Sequence, residues 1–498
     1  MKILLINLPT EHAVEDYSTP NYYLENFVKY PPLGLLCIIP GIDKHHEIKV
    51  FDLAIKNLTI DESIKKIIEY KPDILGISVM TRLLYSVYKI TKTIKEKLKN
   101  TKIVIGGPHA THFTKETFEL NTSDFVLPGF GEITFPALVR AIENGSKDED
   151  LLKIPNLVFR TKNGQTIYNP LGKQLLLLDN LPFPYRKYIN INDYYTAASK
   201  STMTTVYSSR GCPFRCIFCN VIEKKFYYKS AKRLVDEFED IINHGIREIH
   251  VFDDTFNLIR QRIIDICNEI IKRKLKFSWS IRARVYPFDK EMAYLLKKSG
   301  CGRIHVGVES FDENILKYVK KNTTLEQINN FFKICREHKI ETLAYLIIGF
   351  PIETKEYRQK LYKYIKNIKP EYFIINVLYP LPKTEYYQTL LDRGVYKKDY
   401  WQEFIEHPVP DFKIPYPRSV ELQEELVNTA AYYTGKFYLS FNFIVKEIYR
   451  TKFNIKQFIY KSKLALFVFK DYWEKMIKKS LIYFIALKTR PSKNRTLE

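Results

Sequence analysis

The chain has 498 residues, 45% of them apolar, a length that suits about three ordinary domains with buried cores. Its 78 Lys and Arg outnumber 56 Asp and Glu for a formal charge of +22, which bears on solubility and association and identifies no partner by itself. No apolar run approaches the roughly eighteen residues of a membrane span, and no charged-then-apolar leader is evident. The expectation is a cytoplasmic chain whose seven cysteines stay reduced.

Between residues 1 and 145 the apolar runs "KILLINLP" (2–9), "EIKVFDLA" (47–54), "PDILGISVM" (72–80), "KIVIGGPHA" (102–110) and "DFVLPG" (124–129) alternate with helical stretches such as "IDESIKKIIEY". Continuously apolar strands between amphipathic helices predict a parallel, doubly wound α/β sheet covered on both faces. Such a sheet binds ligands at the carboxyl ends of its strands, where Asn7, Gly76, Ser78, Gly106, Gly107, Gly129 and Gly131 fall. Glycine there either admits a ligand to the backbone or makes a tight turn, and the two readings weigh equally. Residues 146–200 read as a linker with a hairpin at "FRTKNGQTIYN", where Asn163-Gly164 is a turn signal.

From 201 to 400 strands recur, in "MTTVYSS", "EIHVFDD", "FSWSIRA", "RIHVGVES", "LAYLIIGFP" and "YFIINVLYPLP", with helices between them. Six such units predict a partial or full TIM-type barrel whose chemistry sits at the carboxyl ends of the strands. Those ends carry Asp253, Asp254, Arg284, Glu309, Ser310, Gly349 and Glu353.

Just after the first barrel strand, "SSRGCPFRCIFCN" (208–220) sets Cys212, Cys216 and Cys219 at C-x3-C-x2-C spacing. Thiolates are soft ligands that suit zinc or iron–sulfur clusters. A structural zinc asks for a fourth ligand at short spacing; His244 and His250 are the nearest downstream histidines and offer no second local pair. An odd number of thiols in a reducing compartment disfavours a disulfide. A 4Fe–4S cluster on three thiolates leaves one iron open. Cys37, Cys267, Cys301 and Cys335, scattered singly, read as small buried hydrophobes.

The cysteine spacing, with Phe218 directly before the last thiol, resembles the signature of radical S-adenosylmethionine (SAM) enzymes. In order along the chain, "YPPLGLLCI" (30–38), "VIGGPHAT" (104–111), "GFGE" (129–132), "LPFPYR" (181–186), "FDDTFN" (252–257), "GVES" (307–310), "IIGFPIET" (347–354) and "PLPKTEYY" (380–387) are similar to stations of the subfamily with an N-terminal cobalamin (B12)-binding domain. That subfamily includes the anaerobic Mg-protoporphyrin ester cyclase and the hopanoid and bacteriochlorophyll C-methyltransferases. The resemblance implies a Rossmann-like cobalamin-binding domain over 1–145, a linker over 146–200, a radical SAM barrel with a 4Fe–4S cluster over 201–400, and a basic, mainly helical region over 401–498.

It further implies a cluster on Cys212, Cys216 and Cys219, and SAM contacts at Phe218, Asp253, Asp254, Arg284, Glu309, Ser310 and Gly349. Phe218 is expected against the adenine, while Arg284 and Glu309 are suited to the carboxylate and ribose or, alternatively, to a salt bridge at the barrel mouth. Glu353 stands one position later than the Glu of the usual G-x-I-x-G-x-x-E pattern. Cobalamin contacts are implied at Asn7, Ser78, Met80, Thr81, Gly106, Gly107, His109, Gly129, Gly131 and Glu132. "DLAIKN" (52–57) occupies the place of the D-x-H-x-x-G motif with Ala54 where the histidine would be, so base-off binding without a histidine ligand is expected. His109 is the nearest candidate for the axial position or for a hydrogen bond to the ligand's edge, and loss of cobalamin altogether remains open.

From Lys436 to Glu498 there are 15 Lys and Arg against 4 Asp and Glu, half of the net charge of the chain. Phe469, Trp473, Ile477, Leu481 and Phe484 recur at helical spacing beside Lys470, Lys475, Lys478 and Lys479, which suits an anionic membrane surface or a helix packed on the barrel. Nucleic acid ranks last, for want of base-stacking motifs. The leading reading is methylation of a poorly activated carbon on a small, lipid-like or otherwise hydrophobic substrate, with an external one-electron reductant of flavodoxin or ferredoxin type. The rivals are a cyclase or oxidative enzyme and a non-catalytic corrinoid sensor. A methylthiotransferase needs a second three-cysteine set in the first sheet, where only Cys37 is found.

Overall fold

The alternating pattern resolves into two large sheets in a computed structural model that describes residues 1–17, 28–170, 177–196, 199, 201–451, 466 and 470. The first sheet begins with β1 (Lys2–Asn7), β2 (Glu47–Asp52), β3 (Ile74–Ser78), β4 (Lys102–Gly106) and β5 (Phe125–Leu127), all parallel in the order β2-β1-β3-β4-β5. Successive residues of β1 serve opposite layers, as a strand buried on both faces requires. Ile3 and Leu5 share a core with helices α1 (Leu33–Ile38) and, later in the chain, Gly131–Glu143. Leu4 and Ile6 pack with α2 (Ile60–Tyr70) and α3 (Leu84–Lys97). The Gly131–Glu143 helix is α4. A methyl group at Gly76 would lie 2.6 Å from Leu5 and 3.2 Å from the Phe135 ring, so this glycine serves the closure of α4 on the sheet and not the approach of a ligand.

The hairpin falls where Asn163-Gly164 indicated, between β6 (Val158–Arg160) and β7 (Thr166–Tyr168). β6 pairs antiparallel with β5, so the first sheet extends to Tyr168, into the stretch read as linker.

The second sheet is parallel throughout: β8 (Met203–Val206), β9 (Glu248–Val251), β10 (Ser278–Ala283), β11 (Cys301–Glu309), β12 (Glu341–Ile348) and β13 (Tyr372–Val377), in that order. Between consecutive strands from β8 to β13 run α5 (Ala231–Asn243), α6 (Arg260–Lys272), α7 (Lys290–Lys298), α8 (Leu325–Glu337) and α9 (Lys355–Ile368). Cys267, Cys301 and Cys335 are buried in this core as expected, whereas Cys37 is half-buried. The curved sheet is a partial barrel. At its last strand the Tyr438 hydroxyl donates to the Phe373 carbonyl (2.7 Å) and accepts from the Phe373 N–H (2.9 Å), taking the place of a next strand. Tyr438 ends α10 (Val420–Tyr438), which is followed by α11 (Phe441–Thr451). The membrane-helix expectation rests on the stripe from Phe469 to Phe484, which lies outside the described residues.

A charged cluster secures the barrel wall to the segment that enters it. Glu237 of α5 is fully buried and accepts from Arg186 (2.8 Å) and Lys229 (2.5 Å), and Arg186 also donates to the Thr205 carbonyl at 3.0 Å. Burial raises the Glu237 carboxyl, but the two cations outweigh it and hold the group below the ordinary carboxylate range. Its stabilising contribution is therefore present at neutral pH and is lost as pH falls through the lowered folded value. Glu237→Gln leaves two cations partly uncompensated and is expected to destabilise the barrel by about 3–5 kcal/mol, read as a lower urea midpoint near neutral pH. The difference from the parent should shrink as the medium is acidified; an equal loss at all pH values would refute the charge argument.

Candidate cofactor site between the two sheets

The cysteine loop is fixed at its neck before any cofactor is considered. After β8, Ser209–Arg210 pair antiparallel with Tyr227–Tyr228, so residues between them form a closed excursion. Gly211 has φ +85°, and a Cβ there would fall 1.9 Å from the Lys225 carbonyl oxygen, so only glycine makes this turn. The Cys212 N–H donates to the Glu223 carbonyl at 3.0 Å and closes the neck. Asp253, just beyond β9, accepts from the N–H groups of Ser208 (2.7 Å) and Ser209 (2.9 Å), from the Ser209 hydroxyl (2.6 Å) and from the Ser208 hydroxyl.

Those four bonds match the acceptor capacity of a carboxylate. Asp253, expected to contact SAM, is thus buried and spent on the neck. Its neighbour Asp254 takes the Gly211 N–H at 3.1 Å and keeps an exposed edge at the mouth. The surrounding protein walls the rest of Asp254 from water, which raises its carboxyl above the usual range.

The three thiols are half-buried and near enough to feel one another's charge. Burial is the main cause that raises Cys212 and Cys219, so loading a metal there releases protons. The Cys216 sulfur lies 3.8 Å from the Lys320 carbonyl and 4.0 Å from the Arg284 guanidinium. Arg284 stacks on the Phe214 ring at 3.8 Å and donates to the Lys321 carbonyl, so it braces the loop. Glu309 forms a buried ion pair with Lys321 at 2.6 Å, the mouth salt bridge that was the alternative reading, although with a different partner.

The remaining barrel positions are similarly engaged. Ser310 is buried with its hydroxyl donating to Tyr357 at 2.9 Å. The Gly349 N–H donates to Glu353 (3.0 Å), and a Cβ on Gly349 would meet Leu426 and Tyr416, so this glycine opens toward the C-terminal segment. Phe218 packs near Phe350, with ring centroids 6.4 Å apart.

On the first sheet the Asn7 amide donates to Asp52 (2.9 Å), which also accepts the Tyr194 hydroxyl at 2.9 Å. Gly106 lies at the end of β4, and Gly107 turns at φ +92° where a Cβ would strike Ser78 Oγ and the Val79 backbone, so Gly107 and Ser78 meet each other. His109 has no exposed surface; its Nδ1 lies 3.1 Å from the Thr81 hydroxyl, and burial pushes its pKa down to about 3. An axial role for this imidazole requires an opening that the present packing does not provide. Gly129 donates its N–H to Thr111 (2.8 Å), Gly131 opens α4, and Met80 is half exposed.

Glu132, expected against the corrin, instead forms a buried ion pair with Arg210. Burial raises the Glu132 carboxyl, but Arg210 outweighs that and lowers it overall. Arg210 also lies 4.4 Å above the Phe130 ring. A second contact between the two domains joins His112 Nε2 to the Asn220 carbonyl at 3.1 Å. Arg210 follows β8 and Glu132 follows β5, so the carboxyl ends of the two sheets face each other across the cysteine loop. Arg210 escaped sequence reasoning because its partner is 78 positions away.

The barrel interior along β9–β11 is polar, which sequence periodicity did not foretell. Trp279 turns outward onto Phe238 and Phe256, while Ser280 turns the other way onto His250 Nδ1 at 3.1 Å. Arg282, two residues on, lies 3.5 Å over the Phe252 ring. Tyr30 from the N-terminal region stacks edge-on against Phe252, with centroids 4.5 Å apart. His305 contacts Tyr345 at 3.2 Å and leaves its Nε2 unpartnered among the described residues; burial holds it neutral.

Gly211→Ala combines a left-handed backbone cost of about 1–3 kcal/mol with the carbonyl clash. It is expected to cut cluster retention roughly tenfold to a hundredfold while leaving far-ultraviolet circular dichroism intact. Iron content equal to that of the parent would refute this account of the neck.

Comparison with known proteins agrees with this layout. Residues 206–365 match the radical SAM superfamily and residues 27–139 match the B12 binding domain. An uncharacterized methyltransferase of Pyrococcus horikoshii is 30% identical over 454 residues, covering 90% of this chain and 95% of that protein. The anaerobic magnesium-protoporphyrin IX monomethyl ester cyclase of Rubrivivax gelatinosus is 27% identical over 353 residues, covering 69% of this chain and 62% of the cyclase. The fold resembles that of TsrM from Kitasatospora setae, a radical SAM methyltransferase solved with tryptophan and a SAM analogue, with a TM-score of 0.65 at 20% identity over 79% of this chain and 76% of that one. The chain belongs to the radical SAM enzymes that carry a B12-binding domain, and its two matched domains imply a 4Fe–4S cluster, SAM and cobalamin as cofactors.

Proposed function

We propose that this enzyme methylates a poorly activated carbon of a substrate held between the two sheets. The observation that carries the reading is the apposition of the two ligand-bearing edges by Glu132 and Arg210, with the three thiols beside the clamp. When bound, the cluster and SAM supply a 5′-deoxyadenosyl radical, and cobalamin supplies a transferable methyl group. In this reading Cys212, Cys216 and Cys219 hold the cluster, and Arg284 keeps Cys216 in place from behind. Asp254 is the exposed acidic group at the mouth available to an amino group. Asn7, Ser78, Met80 and the glycine turns line the opposite edge.

The polar interior refines the expectation of a lipid-like substrate. Arg282 takes part in no described ion pair and rests on an aromatic face, an arrangement that favours a carboxylate or phosphate on the incoming molecule. Ile133, exposed on the first domain beside Glu132, suits an apolar remainder. The substrate that fits is amphiphilic, with an anionic group directed into the barrel.

Anaerobic turnover with SAM and dithionite should give 5′-deoxyadenosine together with S-adenosylhomocysteine. 5′-Deoxyadenosine alone would favour a ring-forming or oxidative reaction of the cyclase kind, and neither product would favour a corrinoid sensor. Cys216→Ser should lose the iron and both products; retention of SAM cleavage would overturn the cluster assignment.

Loss of a charged hydrogen bond costs about 1.5–3 kcal/mol. Arg282→Gln is therefore expected to lower kcat/KM for the substrate roughly tenfold to a hundredfold. SAM cleavage without substrate should be unchanged; equal loss in both assays would move Arg282 to the SAM site.

A further inference from the structure

We propose that His45, His46 and Glu143 form a binding site for a divalent transition-metal ion, zinc foremost, at the end of the first sheet opposite the cofactor edge. His45 and His46 lie in the turn that leads into β2, and Glu143 is the last residue of α4. The His45 Nε2 is 2.7 Å from one Glu143 oxygen, and the His46 Nε2 is 3.7 Å from the other. One ligand atom from each of the three residues falls within 4.8 Å of the others, the one His/Cys/Asp/Glu group among the described residues that does so.

An independent observation marks this group as more than a surface ion pair. The His46 side chain has no exposed surface, and its Nε2 has no hydrogen-bond partner among the described residues although it faces a carboxylate. A buried imidazole nitrogen normally finds a partner. A metal ion between the two groups would accept its lone pair. That tautomer sets an Nδ1–H against the Met1 ammonium, itself a donor 3.3 Å away, so the Met1 amine turns aside when the ion binds. The side chains of His45 and Glu143 are 60% and 36% exposed, which leaves an entry path and room for water at the fourth position.

The donor set selects the ion. Two imidazoles and one carboxylate suit zinc in tetrahedral coordination with one position left to water. Magnesium and calcium prefer oxygen ligands. Binding would break the His45–Glu143 hydrogen bond and replace it with two metal bonds, parting that 2.7 Å pair while drawing His46 in.

The site has a consequence for the junction. α4 carries Glu143 at one end and Glu132 at the other, so an ion that fastens the helix to the turn before β2 also steadies the carboxylate that meets Arg210. The ion would act as a staple far from the cysteine loop, with no part in the reaction.

The test uses the full chain with its cluster reconstituted, so that the three thiols are occupied, and a parallel chain carrying Cys212→Ser, Cys216→Ser and Cys219→Ser. Calorimetric titration with zinc chloride should show one equivalent per chain in both, accompanied by a higher melting temperature. His45→Ala and Glu143→Gln, at partly exposed positions, should each weaken zinc binding at least tenfold, and His46→Gln should abolish it. Circular dichroism, and iron content in the reconstituted chain, check that each variant is folded. No equivalent of zinc in the serine-substituted chain, or undiminished affinity in His45→Ala and Glu143→Gln, would overturn the proposal.

Discussion

The ion pair between Arg210 and Glu132 is the contact on which the placement of the cofactor edges depends. Removing a guanidinium and a carboxylate from water is expensive, and the loss is recovered only while both are present and well bonded. Arg210 sits in the neck of the cysteine loop, next to Ser209 on one side and Gly211 on the other. Its position is already determined by the Asp253 carboxylate, which takes all four donors of Ser208 and Ser209. The N-terminal sheet is thereby registered against the thiols through a short, rigid path rather than through the long connecting segment.

Along β10 and β11 the barrel has an apolar outside and a polar inside, separated residue by residue. Along β10, Trp279 and Ile281 belong to the shared core with the helices, while Ser280 and Arg282 meet His250 and Phe252. A parallel strand buried on both faces usually carries apolar residues on both. Here stability comes from the outer layer and from the Tyr438 hydroxyl that closes the last edge, which frees the inner surface for recognition. Tyr30 reaches this interior from the first domain's side, so the interior is shaped by both parts of the chain.

The motif chemistry was legible from local spacing. C-x3-C-x2-C, the Asn163-Gly164 hairpin turn and the strand-end positions of the two sheets all follow from short stretches, because turn geometry and strand period are decided within a few residues. The individual partners were not legible. Asp253 and Asp254 are adjacent and chemically identical, yet one is buried in the neck and the other faces the mouth. Gly76 and Gly107 carried two equal readings, ligand approach or tight turn; Leu5 and Phe135 crowd the buried Gly76, whereas Gly107 turns at φ +92° against Ser78 and Val79 and keeps a half-exposed face. Glycine at a strand end has the same sequence signature in either role.

By itself the sequence determined two parallel sheets and the three-thiol loop, since each depends on periodicity or short-range spacing, while the family and the order of its domains came from resemblance to known relatives. Tertiary structure decided which charged groups are spent on holding the site and which remain open to a ligand. Glu132 and Arg210 are 78 positions apart, Glu309 and Lys321 twelve, and His46 and Glu143 are joined only when α4 folds back over the sheet. Electrostatic pairing falls off with distance in space and is blind to distance along the chain. Only packing could therefore turn the motif's many polar residues into a clamp, a mouth and a lining.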